Sequence, residues 1–227
     1  MNISGTLNIF RLLRDPTLCL PQHTVSTFNQ LPIPLSQAFA AAPQQRKDSS
    51  SDVVAAAEEK KVDIRAVVLD KDNCFAVPHT DEVYEGYKDH FSRLRTAYPG
   101  AKLLIVSNTA GTTTSDPTGT QAAALESRTG VTVLRHSTKK PGCANEVLEY
   151  FLKKHPETGV KRPDQIAVVG DRLATDVVMA NLMGGYAVWV RDGVQGRGFF
   201  ARMEDRLQGF LFGRGYSAPD PSKNQFE

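Results

Sequence analysis

The chain has 227 residues, 27 of them Lys or Arg and 25 Asp or Glu, for a net charge of +2, and 41% of it is hydrophobic. That balance argues against a nucleic-acid binder, which needs a basic surface to meet phosphates, and no apolar run approaches the ~18 residues of a membrane span. Cys19, Cys74 and Cys143 are odd in number and scattered, which speaks against a disulfide framework or a zinc site and fits a reducing compartment.

Residues 1–35 form an N-terminal arm. In it Leu7, Phe10, Leu12 and Leu13 lie near Arg11 and Arg14, with no acid before Asp15. This predicts a membrane-surface or targeting segment, or equally a segment packed on the domain. Residues 36–61 are rich in Ala, Gln, Ser and Lys and read as a linker or flexible insertion, with helical character from Ser51 to Lys60. Residues 62–192 alternate apolar runs with helical segments. The runs 64–69, 102–106, 131–134 and 165–169 read as strands, and 87–97, 120–129, 142–155 and 173–183 as helices. The alternation predicts an α/β fold, a Rossmann-like parallel sheet flanked by helices with right-handed crossovers. Residues 193–227 hold an amphipathic segment and a tail. There Phe199, Phe200, Met203, Leu207, Phe210 and Leu211 recur at helical spacing among Arg197, Arg202, Arg206 and Arg214. Such a stripe reads as core or as a contact in a homo-oligomer. The arginines add a third reading, contact with an anionic membrane surface.

Four pieces carry chemistry, each just after or beyond a strand. Asp70 and Asp72 follow the run Ile64 to Leu69, and alternation in an extended segment would point both carboxylates the same way. One could attack while the other moves protons, provided a cation quenches their repulsion. Ser107 ends the second strand, where a small hydroxyl can donate to a phosphate oxygen. Lys139 and Lys140 follow the third, where an ammonium can neutralise an attacking carboxylate and a phosphoryl group together. Gly170-Asp171 ends the fourth, with Asp176 about one helical turn later, a set suited to a hard, oxygen-seeking cation. Taken singly, each has an ordinary reading: a strand-to-loop junction, a turn, a basic loop, a helix cap.

In this order the four pieces resemble the haloacid-dehalogenase-like phosphatase superfamily over residues 62–192. Segments 1–8, 31–34, 69–74 and 105–111 extend the resemblance to the fungal mitochondrial phosphatidylglycerophosphate phosphatases. Cys74 departs from the Thr or Val usual there, at similar size. The resemblance implies that Asp70 is the nucleophile and Asp72 the proton donor and acceptor, and that Ser107 and Lys140 bind phosphoryl oxygens. Lys140 is preferred to Lys139 because it directly precedes Pro141. The implied cofactor is Mg²⁺, held by Asp70, the backbone carbonyl of Asp72 and Asp171. Asp176 would stand behind them, orienting Lys140 or a metal-bound water, and Asn108 and Arg172 would touch substrate. The implied activity is a Mg-dependent phosphomonoesterase working through an aspartyl-phosphate. It would convert phosphatidylglycerophosphate to phosphatidylglycerol, toward cardiolipin, as a peripheral protein on the matrix side of the mitochondrial inner membrane. The intervals from Asp70 to Ser107 and from Ser107 to Lys140 are each filled by an expected helix and strand, so no large cap domain fits. An open site of that kind can admit a phosphate on a large carrier. The residues alone leave open a soluble phosphatase for sugar phosphates or nucleotides, and a catalytically silent scaffold.

Overall fold

The computed structural model describes residues 14–40, 62–195 and 199–223. Six parallel strands form one sheet in the order β1-β6-β5-β2-β3-β4. They are β1 (His23–Val25), β2 (Ala66–Leu69), β3 (Leu103–Ile105), β4 (Thr132–Val133), β5 (Ile166–Gly170) and β6 (Tyr186–Val190). The central strands are apolar throughout because helices cover both faces of the sheet. Along β2, Val67 and Leu69 face one core layer while Ala66 and Val68 face the other, following the two-residue period of a strand.

Helices α1 (Lys88–Ala97) and α2 (Thr120–Thr129) pack on the first face through Phe91, Leu94, Ala122 and Leu125. Helices α3 (Ala144–Glu149) and α4 (Val178–Met183) cover the other through Val147, Met179 and Met183. Two predicted helices are realised in two parts: a π-helical turn over Tyr150–Lys154 continues α3, and another over Leu173–Val177 leads into α4. The last helix, α5 (Phe199–Gly213), anchors Leu211 in the second core layer. From Asp70 to Ser107, and from Ser107 to Lys140, the chain contains one α-helix and one strand each besides short turns, so no cap domain interrupts it.

The sequence divides the arm of residues 1–35 from the domain at 62–192 and leaves equally open a membrane-surface or targeting segment and a segment packed on the domain. In the structure β1 pairs with β6, Val25 opposite Val190; Phe28, Leu31 and Leu35 are buried in the first core layer and Leu20 in the second. Phe28 stacks on Phe91 with ring centroids 6.2 Å apart, and the Asn181 side-chain amide donates to the carbonyls of Leu18 and Leu20. The strand is only three residues long and its anchors follow no period, so pattern reading has nothing to detect. Leu7, Phe10, Arg11, Leu12 and Leu13 lie outside the described residues, as does the helix expected at Ser51 to Lys60.

β2 has β3 on one side and β5 on the other. The connection leaving β2 leads to β3 on one side, and the one leaving the adjacent β5 leads to β6 on the other, which opens a crevice at the carboxyl ends of these two strands.

Candidate active site

Asp70 follows β2 directly, and its amide donates to the Val169 carbonyl at 2.8 Å, so the residue is still held by the sheet. Its carboxylate meets the Lys140 ammonium, whose Nζ also lies 2.6 Å from Asp176 Oδ1. The side chains of Lys140 and Asp176 are each 2% exposed, and that of Asp70 10%. Lys140 is therefore the lysine of the site, while Lys139 is exposed. Asn108 Oδ1 accepts from the Lys140 amide at 2.7 Å. The His136 ring lies within 2.9 Å of the Ser107 carbonyl and 2.8 Å of the Thr138 carbonyl. These contacts tie the loop after β3 to the loop that carries Lys140. Asn108, expected to touch substrate, thus has its side-chain oxygen engaged in holding that loop. Arg172 is exposed, and its amide donates to Asp176 Oδ2 at 3.1 Å.

Carboxylate oxygens of Asp70, Asp171 and Asp176 all lie within 4.8 Å of one another. Asp70 and Asp176 share one ammonium, and burial together with the neighbouring negative charge shows in the acidities of Asp70 and Asp171. Burial pushes Asp70 well above the usual carboxylate range, with Asp176 and Asp171 adding to the rise against the Lys140 ammonium. Burial, then Asp176, raises Asp171 to about 6. For Lys140 burial pulls downward, but Asp176 and Asp70 outweigh it and the net shift is upward. An all-oxygen, net-negative donor set of this kind fits a hard divalent cation such as Mg²⁺.

The third carboxylate of this cluster is Asp176, which the sequence analysis places behind Asp70, Asp171 and the backbone carbonyl of Asp72. Past Asp70 the chain turns back on itself: Asp72 bridges to Ala76, and Asn73 lies in the left-handed region at φ 60°. The Asp72 side chain is 29% exposed. Its Oδ1 accepts from the His79 amide at 2.9 Å, and its Oδ2 lies 3.4 Å from Thr109 Oγ1. Ser107 is fully buried, its Oγ 3.0 Å from Thr109 Oγ1.

Two residues that the sequence analysis gives no role, Asn73 and Trp189, help build this site, together with Gly170 of the Gly170-Asp171 pair. Gly170 leaves room for Asp176, whose carboxyl carbon would lie 2.3 Å from an added Cβ. Asn73 donates from Nδ2 to Asp171 Oδ2 at 3.0 Å and accepts from the amides of Val194 and Gln195. Trp189 donates from Nε1 to the Asp171 carbonyl at 2.8 Å. An Asn beside two Asp residues is a recognisable turn signal, and Gly170 belongs to the Gly-Asp pair at a strand end; the role of Trp189 leaves no trace in the local sequence.

The family described as Mitochondrial PGP phosphatase matches residues 3–195. The mitochondrial phosphatidylglycerophosphatase of Saccharomyces cerevisiae is 49% identical over 212 residues, covering 93% of this chain and 99% of that protein. A probable mitochondrial phosphatidylglycerophosphatase of Schizosaccharomyces pombe is 32% identical over 86% of this chain and 84% of that protein. A chloroplastic phosphatidylglycerophosphate phosphatase of Chlamydomonas reinhardtii is 34% identical over 68% of this chain and 55% of that protein. No solved structure matches the chain significantly.

Proposed function

Because the chain belongs to the mitochondrial PGP phosphatase family, we propose that it hydrolyses the terminal phosphomonoester of phosphatidylglycerophosphate, through a phosphorylated Asp70. The observation that carries this reading is the buried contact of Asp70 with Lys140, itself paired to Asp176, at the carboxyl edge of the sheet.

In this scheme Asp70 attacks phosphorus in line as the bond to the lipid alkoxide breaks. Asp72 gives its proton to that alkoxide, and phosphatidylglycerol leaves. Asp72 then takes a proton from the water that attacks the aspartyl-phosphate, so inorganic phosphate departs and Asp70 is restored. An alkoxide leaves poorly without a proton, so this transfer contributes roughly 10²–10⁴-fold. Lys140 and Ser107 hold phosphoryl oxygens. Asp70, Asp171 and Asp176, with the backbone carbonyl of Asp72, would hold Mg²⁺. When bound, that ion supplies positive charge that keeps the close carboxylates ionised and offsets their repulsion of the phosphoryl group.

The lipid substrate also accounts for α5. Met203, Leu207 and Phe210 recur at helical spacing and are 53%, 43% and 56% exposed. Exposed Arg202, Arg206 and Arg214 accompany them, and the Arg214 guanidinium stands 4.7 Å from the centre of the Phe210 ring. Apolar side chains interleaved with arginines suit the headgroup region of an anionic bilayer. Glu204, on the same helix, accepts from the Ala174 amide at 3.4 Å, between Asp171 and Asp176 in the chain. On this reading the protein sits peripherally on the matrix side of the mitochondrial inner membrane, with α5 as its contact. No helix among the described residues is long and apolar enough to cross a membrane.

The test is phosphate release from phosphatidylglycerophosphate, phosphatidate, glycerol phosphate and sugar phosphates, with and without EDTA and added Mg²⁺. Turnover should favour phosphatidylglycerophosphate, need the metal, and vanish with phosphoenzyme formation in Asp70→Asn. Preference for a soluble sugar phosphate would overturn the substrate. Full activity in metal-free buffer would overturn the metal, and an active Asp70→Asn the nucleophile.

A further inference from the structure

The reaction scheme leaves one buried cation at the site without a part. Lys71 stands between Asp70 and Asp72 in the chain and is 3% exposed. Its Nζ donates to the Thr80 carbonyl at 2.8 Å and lies 3.1 Å from Asp72 Oδ1 and 3.5 Å from Asp81 Oδ1. Burying an ammonium is costly unless several acceptors meet it, and here three do. The same cost makes the arrangement stiff, because a displaced Lys71 would lose them together.

The effect on Asp72 is asymmetric. Oδ1 faces the Lys71 ammonium and also accepts from the His79 amide. Among the described residues Oδ2 has only a long contact, to Thr109 Oγ1 at 3.4 Å, and that hydroxyl lies beside Ser107 Oγ. One oxygen is thus held by a cation and an amide, while the other faces the Thr109 hydroxyl, next to the Ser107 hydroxyl that would receive the phosphoryl group. We propose that Lys71 is a positioning residue that, by engaging Oδ1, makes Asp72 Oδ2 the oxygen that passes the proton to the departing alkoxide and later accepts one from water. In the first transfer the Oδ2–H bond breaks as the alkoxide O–H forms and the phosphorus–oxygen bond cleaves. In the second, a water O–H breaks as Oδ2 regains its proton. This rests on the reading of Asp72 as the proton-transfer group.

Lys71 also joins Asp72 to Thr80 and Asp81, so a purely structural tie of that loop is the competing explanation. The two separate by leaving group. Nitrophenolate departs without a proton, whereas an alkoxide requires one. Wild type, Lys71→Met, Lys71→Gln, Lys71→Arg and Asp72→Asn would be compared at saturating Mg²⁺. The readout is leaving-group release in the first turnover, from short-chain phosphatidylglycerophosphate and from p-nitrophenyl phosphate. Asp72 and Asp81 are 29% and 30% exposed, so water can solvate them when the ammonium is removed and the fold should survive. Circular-dichroism melts check this, and Lys71→Gln keeps an N–H donor if Lys71→Met does not fold.

The Met and Gln variants should slow release of the alkyl group about 10-fold or more, toward the loss in Asp72→Asn. Release of nitrophenolate should change less than about 2-fold, and Lys71→Arg should recover part of the alkyl rate. Equal losses on both substrates, or none on either, would overturn the role of Lys71. If Asp72→Asn discriminates and the Lys71 variants do not, only the Lys71 proposal fails. If Asp72→Asn does not discriminate, the proton-transfer reading fails and takes this proposal with it.

Discussion

Asp176 occupies the space that a side chain on Gly170 would need: an added Cβ would come 2.3 Å from its carboxyl carbon and 2.5 Å from its Oδ2. The glycine serves close approach, since Gly170 is not among the glycines with positive φ. Gly170→Ala should push Asp176 away from Lys140 and cost about 1–3 kcal/mol through overpacking. Chemical denaturation and kcat would be measured together. Wild-type values for both would show that Asp176 can move without consequence.

Trp189 offers a direct probe of Asp171. It is the only tryptophan in the chain, fully buried, and bonded to the Asp171 carbonyl. Adding Mg²⁺ to EDTA-treated protein should change its fluorescence in step with activity, and Asp171→Ala should abolish the response. An emission unchanged through a titration that saturates activity would remove Asp171 from the metal site. Trp189→Phe keeps most of the bulk but orphans the carbonyl, at about 1–3 kcal/mol, and should raise the Mg²⁺ requirement.

Glu204 gives a pH dependence of stability. Burial lifts it from 4.5 to about 7; the Ala174 amide and Arg172 oppose the rise, and Asp171 and Asp176 add to it. The folded state then holds this proton more tightly than the unfolded chain. Its contribution to stability is fully present below about pH 4.5 and is lost as pH rises through about 7. Glu204→Gln, whose side-chain oxygen can still accept from Ala174, should raise Tm on the alkaline side of this window and leave it unchanged on the acid side. A uniform offset across the window would contradict the assignment.

The apolar stripe of α5 divides in the structure. Leu211 is 4% exposed within the core, while Met203, Leu207, Phe210 and Phe212 are exposed; the side chains of Phe199 and Phe200 are outside the described set, as is Arg197. Changing Met203, Leu207 and Phe210 to Ser should preserve the fold and turnover of a small soluble phosphate, yet weaken flotation with anionic liposomes. Raised salt should weaken wild-type flotation as well. Leu211→Ser should instead destabilise the protein, by roughly 2–5 kcal/mol if it behaves like other large-to-small core changes. Undiminished flotation of the folded triple variant would exclude α5 as the lipid contact, and a change in assembly size would identify it as an oligomer contact.

Much of the fold and part of the site can be read directly from the residues. Continuous runs such as Ala66 to Leu69 and Ile166 to Val169 mark strands buried on both faces, and parallel strands share one carboxyl edge. Asp70, Ser107 and Asp171 each stand within a residue or two of a strand end, so their meeting follows from the pattern alone. The tertiary structure decided the rest. It seated Asp176 against Lys140 through a π-helical turn and a missing Cβ, and it turned Asp72 toward Lys71 and His79. It also built β1 into the sheet edge and joined Asn73 to Asp171 across 98 residues of chain. Periodicity reports which face of an element is buried, a local property. Which carboxylates share a cation depends on side chains far apart in sequence meeting at one point, and only the packed chain specifies that.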